Sequence, residues 1–359
     1  MATILDAKRS IERSLFGIDG VTGVGINWDA QAIRVYVEAL TPAIDAAVPH
    51  SISGYPVEVI VTGVFTTRAS DFNLPEPYRR IRWRPVYGGV SGGHASVTAG
   101  TIGAVVWDTE SGGMVVLSNN HVFANTTYTD ALSAAAGDAI LQPARFDAGT
   151  SVDTVATLDR WVPLDATGDN LVDCALARPI SDDLVVPLVV GGLEPDGRLY
   201  CFAVNGTTPV VGGEIVHKYG RTTGHTSGEV IDVDFTTRIQ YSAPEPIVFV
   251  DQILACIKVD GGDSGSLLLD DQNRAVGLVI ASAKSDGVYY AIANKIGNVM
   301  AMLGIEFPEG QEDRYISGFD VIGNPVAVGS AVPSLVWVAA GVLLGVVLGE
   351  CGNWPQSHD

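Results

Sequence analysis

Three polar residues stand inside stretches that are otherwise apolar or glycine-rich: His121 in VVLSNNHVFAN, Asp173 in NLVDCALARP and Ser264 in VDGGDSGSLLLD. Together these residue types suit acyl transfer at neutral pH. A serine hydroxyl becomes a competent nucleophile when an imidazole takes its proton, and the imidazole needs a carboxylate to fix its tautomer and stabilise the imidazolium. Gly262 and Gly265 allow the chain to turn sharply around Ser264, so that the Gly262 and Ser264 amides can converge on a developing oxyanion. Each stretch alone is ambiguous. A histidine after a strand and a Gly/Ser turn are commonplace, and Asp173 competes with Asp153, Asp159, Asp165 and Asp169. The apolar strand around Asp173 favours it over these, which gives the candidate set His121, Asp173, Ser264.

These residues must be positioned by β-structure. Between residues 86 and 307 run short β-branched segments separated by Gly, Asp and Asn turns, among them TAGTIGAVVW, MVVLSNNHVF, VATLDRWVP, GEIVHKYG, GEVIDVDF, QILACIKV, AVGLVIAS and VYYAIA. Such spacing predicts a twisted β-sandwich or a pair of barrels. ANKIGNVMAMLGI carries Ile296, Val299, Met300 and Leu303 at helical spacing and predicts a closing helix.

Residues 1–70 predict a small α+β domain, with one amphipathic helix followed by the strands VTGVGINW, AIRVYVEAL and PVEVIVTGVF. Residues 71–85 are Pro-rich, and Arg79, Arg80, Arg82 and Arg84 form the densest basic run; a solvated linker is the simplest expectation, an acidic partner or a processing site the other. The strand-rich part extends over 86–308, and 309–359 forms a C-terminal tail. Within that tail residues 321–349 lack Asp, Glu, Lys and Arg, and the apolar part 332–349 is long enough either to cross a bilayer or to pack as an oligomer-forming segment.

Composition narrows the function classes. With 21 basic against 41 acidic residues the formal charge is −20, which argues against a nucleic-acid phosphate binder, and 47% hydrophobic residues argue against a disordered chain. Gly and Pro together make up 59 of 359 residues, as expected where many strands are joined by tight turns. Cys174, Cys201, Cys256 and Cys351 show no metal-site spacing and predict isolated thiols, and residues 1–20 lack the apolar run of a secretory signal, so a cytoplasmic protein without metal or organic cofactor is expected.

GGDSGS resembles the nucleophile loop of trypsin-like (chymotrypsin-like) serine peptidases, SNNHVFA their histidine stretch and VDCALA their aspartate strand, in that family's order. RPVYGGVSGGH, SNNHVFAN, YGRTTGHTSGEV and GGDSGSLLLD resemble more closely the non-secreted group that includes the plant Narrow leaf 1 proteins and bacterial relatives. The resemblance covers about residues 86–307 and implies a mainly β, double-barrel endopeptidase acting on a protein or peptide substrate. It implies that His121 is the general base, Asp173 its orienting carboxylate, Ser264 the nucleophile, and Gly262 with Ser264 the oxyanion hole. It also places Lys258, six residues before Ser264, at the base of the primary pocket, where a cation favours an acidic side chain. Thr222 and Thr223 of YGRTTG then belong either to a hairpin turn or to a substrate-binding loop. Two features depart from the family: Ser266 replaces the second glycine of GDSGG, and some 85 residues precede the barrels, which leaves the partner of Asp263 open. The rival reading is a catalytically idle or latent trypsin-fold binding or scaffold protein, with tail-anchoring through 332–349 left open.

Overall fold

A computed structural model describes residues 3–67, 79–97, 99–124, 134–193, 199–241 and 245–309. The apolar segment 332–349 lies outside these residues. Among the described residues no helix is long and apolar enough to cross a membrane.

The protein is mainly β. Six strands of the C-terminal half, Ile215–Gly220, Gly224–Gln240, Ile247–Cys256, Leu267–Asp270, Ala275–Ser285 and Val288–Lys295, close on themselves: the first pairs the second, the second the third, and the ring returns through the sixth, fifth and fourth. The preceding half is different. Among the described residues seven of its strands, extended at one edge by Ile305–Glu306 from beyond the ring, pair as an open, curled path that includes Ala104–Asp108, Met114–Ser118, Ala175–Pro179 and Thr154–Trp161. The expected pair of barrels is therefore one closed ring beside an open sheet. A further three-stranded sheet, in which Val185–Leu193 lies between Leu199–Ala203 and Val86–Gly88, packs on the open sheet.

Core packing joins the halves. Val106, Val115, Leu117 and Leu176 of the open sheet share one buried cluster with Leu267, Leu269 and Leu278 of the ring, and the helix Ile296–Leu303 adds Ile296, Val299 and Leu303. The ion pair of Arg221 with Asp147, 2.5 Å and buried on both sides, links a turn of the ring to the open half. A guanidinium at that depth needs a bidentate acceptor, and Asp147 accepts from both Nε and Nη2.

The N-terminal helix Ile4–Leu15 starts with a reciprocal Thr3/Asp6 cap and buries Ile4, Ala7 and Leu15. It covers strands Val21–Asn27, Ala32–Val37 and Tyr55–Val61, the last two parallel across a short intervening helix, Pro42–Ala47. This α+β unit continues the ring's own sheet, because Val21–Asn27 pairs antiparallel with Gly224–Gln240, Gly23 opposite Thr237. Glycine is required there. A Cβ on Gly23 would collide with the Phe235 ring, and one on Gly25 with the Asp232 carboxylate. Phe65–Thr66 then adds to the ring beside Ile239 and Ser282, with Phe65 fully buried.

The arginine run is not simply solvated. Arg79 is buried and donates to the Thr222 carbonyl at 3.3 Å, Arg84 donates to the carbonyls of Trp83 and Gln142, and Arg82 pairs with Asp153. Of the cysteines, Cys174 and Cys201 are free; Cys256 is disulfide-bonded, which corrects the expectation of an isolated thiol there.

Candidate active site

His121 is placed by the end of a core strand. Val115, Val116 and Leu117 fix Met114–Ser118 in the interior, and the chain turns at Asn119 into the one-turn helix Asn120–Phe123. Both asparagines tie the turn down: Asn119 Nδ2 donates to the Asp173 carbonyl and Asn120 Nδ2 to the Val162 carbonyl, each at 2.7 Å. Val122 and Phe123 are buried behind them, which leaves the imidazole facing Asp173.

Asp173 is fully buried beside the strand Ala175–Pro179, which pairs with Met114–Ser118, the strand that leads into the His121 turn. His121 Nδ1 lies 2.6 Å from its Oδ2, and the His121 amide donates to Oδ1 at 3.1 Å. The Tyr241 hydroxyl donates to the same Oδ2 at 2.6 Å, and the Asp173 amide donates to Asn294 Oδ1 at 2.9 Å. Burial pushes the Asp173 carboxyl up, but the His121 charge and the hydrogen bonds from His121 and Tyr241 outweigh it and hold the group below the usual carboxylate range. The carboxylate thus fixes the Nδ1–H tautomer. His121 Nε2 is buried and has no hydrogen-bond partner among the described residues.

Ser264 sits in a turn between the strands that end at Cys256 and begin at Leu267. Gly262 and Gly265 have φ of 95° and 92°, a region that excludes ordinary side chains. A Cβ on Gly265 would collide with the Thr101 carbonyl and with Ser118 Oγ, so the Ser264 turn touches the strand end three residues before His121. Thr101 clamps the same turn: its amide donates to the Ser264 carbonyl at 2.9 Å and its hydroxyl to the Gly262 carbonyl at 2.7 Å. The amides of Asp263, Gly265 and Ser266 donate to Asp260, Val279 and Asp263 carbonyls. Those of Gly262 and Ser264 donate to no group among the described residues. The Ser264 hydroxyl donates to the Ile280 carbonyl at 3.3 Å, not to His121. Ser266 is buried where a glycine was expected, and its hydroxyl donates to the Asp263 carbonyl at 2.6 Å, closing the turn.

Asp263 finds its partners inside the chain. It accepts from the amides of Thr222, Thr223 and Asp260 and from the Thr223 hydroxyl, and it faces Lys218 Nζ at 3.5 Å with both side chains fully buried. Burial raises its carboxyl, and the Lys218 charge, the Thr223 hydroxyl and the amides more than offset this and hold it low. The Thr222 hydroxyl donates to the Gly261 carbonyl at 2.7 Å. Both threonines therefore spend their hydroxyls on the Ser264 turn. Lys258 is exposed, with Nζ 5.9 Å from the Tyr289 ring centroid; Lys284 Nζ stands 4.6 Å from the same centroid.

Lys218, Tyr241 and Asn294 are the site residues that sequence reasoning did not find. Lys218 carried a signal, a lysine within the apolar strand IVHKYG, whereas Tyr241 and Asn294 have no local pattern to mark them. Among the described residues no group of three or more His, Cys, Asp or Glu is arranged to hold a metal ion.

No protein-family model matches the sequence, and no curated protein is significantly similar to it. Solved structures similar to the chain include Protease A of Thermobifida fusca, at 17% identity and a TM-score of 0.45 over 63% of this chain and 99% of that one. The chymotrypsin of Cellulomonas bogoriensis matches at 17% identity and 0.42, over 62% and 97% of the two chains. A Nocardiopsis protease matches at 14% and 0.44, over 62% and 98%.

Proposed function

We propose that the protein is a serine endopeptidase of the trypsin-like type, hydrolysing peptide bonds through an acyl-enzyme, and that its motifs align it with the Narrow leaf 1-like group. The observation that carries this reading is the His121 Nδ1–Asp173 Oδ2 contact of 2.6 Å, which leaves an unpartnered Nε2 on the ring. The unused Gly262 and Ser264 amides support it.

In this reading a rotation about χ1 takes the Ser264 hydroxyl from the Ile280 carbonyl to His121 Nε2. As Oγ bonds to the substrate carbonyl carbon its proton passes to Nε2, and the carbonyl oxygen becomes an oxyanion held by the Gly262 and Ser264 amides. His121 then gives that proton to the leaving amine as the C–N bond breaks. Water, deprotonated by the same nitrogen, releases the acid and returns the proton to Ser264. Asp173 stays ionised throughout and stabilises the imidazolium. Lys258, with Lys284 across the Tyr289 ring, would favour acidic side chains on the acyl side of the scissile bond; a preference for Arg over Glu in matched peptides would remove that assignment.

A fluorophosphonate probe tests the chemistry directly. Labelling of the folded wild type that is lost in both Ser264→Ala and His121→Ala is the expected result. A folded wild type that does not label favours the second reading, a latent or idle binding protein on the same scaffold, for which the Ser264–Ile280 hydrogen bond is the specific observation.

A further inference from the structure

The carboxylate of Asp173 has a second donor that the triad chemistry does not require. Tyr241 follows the strand Gly224–Gln240, is buried, and points its hydroxyl at Asp173 Oδ2, the oxygen that also receives His121 Nδ1; both distances are 2.6 Å. Its ring stands edge-on to the imidazole, with centroids 5.7 Å apart at 80°, and stacks on the buried Phe249 at 6.2 Å. The tyrosine is therefore held by the ring's core while its hydroxyl reaches the carboxylate.

We propose that Tyr241 is a positioning residue that sets the orientation and basicity of His121 by sharing Asp173 Oδ2 with it; the inference rests on the serine-peptidase reading. One oxygen accepting two protons is less basic toward each than an oxygen accepting one. The phenol thus limits how strongly the carboxylate holds Nδ1–H and how far it favours the imidazolium. The proton balance is simple. Tyr241 keeps its proton, because burial and the Asp173 charge both push its ionisation well above the ordinary tyrosine range. No proton passes between the phenol and the carboxylate. Other groups at this carboxylate do not compete for the role. Asn119 donates to the Asp173 main-chain carbonyl, Asn294 accepts from its amide, and the neighbouring Cys174 thiol is kept neutral by burial and by the Asp173 charge. Burial apart, the leading influences on Asp173 come from His121 and Tyr241.

Tyr241→Phe removes one oxygen and leaves the ring packing on Phe249 and His121. With ¹⁵N-histidine labelling of the full-length protein, His121 is followed by NMR across pH, assigned by its loss in His121→Ala. The expected result is a rise of the His121 pKa by about half a unit or more in Tyr241→Phe. The acid limb of the fluorophosphonate labelling rate should move by the same amount. In an Asp173→Asn background the same substitution should leave His121 unmoved, because the shared carboxylate is gone. An unchanged or lowered His121 pKa in folded Tyr241→Phe overturns the proposal, as does an equal rise with and without the carboxylate. Should Tyr241→Phe fail to fold, 3-fluorotyrosine at position 241 keeps the test: a stronger donor should lower the His121 pKa, and no movement overturns the proposal. The NMR readout needs neither probe nor substrate, so a wild type that fails to label while His121 still responds to Tyr241 refutes the peptidase reading alone.

Discussion

Lys218→Met tests whether the Ser264 turn is ordered by the chain itself. Lys218 and Asp263 face each other at 3.5 Å, both without exposure, and Lys218 also donates to the Thr223 hydroxyl and to the Gly224 carbonyl. Methionine fills similar volume but leaves Asp263 without a countercharge and the Gly224 carbonyl without this donor. Removing one partner of a buried ion pair typically costs about 3–5 kcal/mol. Asp263 keeps three amides and the Thr223 hydroxyl, so the lower end, about 3 kcal/mol, is expected. The pH dependence has a definite sign. The Asp263 carboxyl is held low in the fold, so its contribution is present above the unfolded carboxylate pKa of about 4 and is lost as pH falls through the folded value. Without Lys218 the folded pKa rises, and acid unfolding should begin at higher pH. Urea melts at pH 7.5 and pH 5 measure this, and fluorophosphonate labelling at pH 7.5 should fall with the loss of order around Ser264. Adding Asp263→Asn removes the stranded charge and should recover part of the stability. A Lys218→Met protein with unchanged urea midpoint and labelling rate would refute the argument.

Gly262→Ala should lower the labelling rate by roughly 10²–10³-fold while the protein stays folded, because a Cβ at φ 95° would collide with the Arg221 guanidinium and the Thr222 hydroxyl and turn the amide away. Labelling kinetics beside a thermal melt separate the two effects, and an unaltered rate would remove that amide from the oxyanion site. Asp232, buried where the N-terminal sheet joins the ring, has its carboxyl pushed up to about 6, chiefly by burial. A raised carboxyl pKa means that stability falls as pH rises from about 4 to 6, and the cost above pH 6 is about 3 kcal/mol at 1.36 kcal/mol per unit. Asp232→Asn should therefore raise the urea midpoint at pH 8 and leave it nearly unchanged at pH 4; equal effects at both would contradict the assignment.

Local elements were legible because their cause is local. β-branched runs between turn residues mark the strands, and the 3.6-residue spacing of Ile296, Val299 and Leu303 marks the helix that buries them. What closes the sheet is not local. Gly23 meets Thr237 more than 200 residues away, and the only trace in the sequence is that residues 23 and 25 lack side chains. The Val185–Leu193 strand was not marked either, since a continuous apolar run has no alternation to separate strand from other buried structure. Arg79 and Arg84 show the same limit: composition cannot distinguish an arginine in water from one that donates to main-chain carbonyls.

The site divides along the same line. Reactive residue types limit the candidates, and the motifs around them, taken together with the trypsin-like resemblance, single out His121, Asp173 and Ser264. Holding those groups is a looser demand. Asp263 needs several donors and a positive charge, which Lys218, Thr222 and Thr223 supply here, and many other residues at other places could do the same. Thr222 and Thr223 could thus be read as a hairpin turn or as a substrate loop, because a hydroxyl in a sequence does not show what it faces. Supporting residues become visible only when packing fixes their partners. The substitutions that separate support from reactivity are therefore those at Lys218 and Tyr241, where the partner is a buried carboxylate and the effect of losing it has a predictable sign.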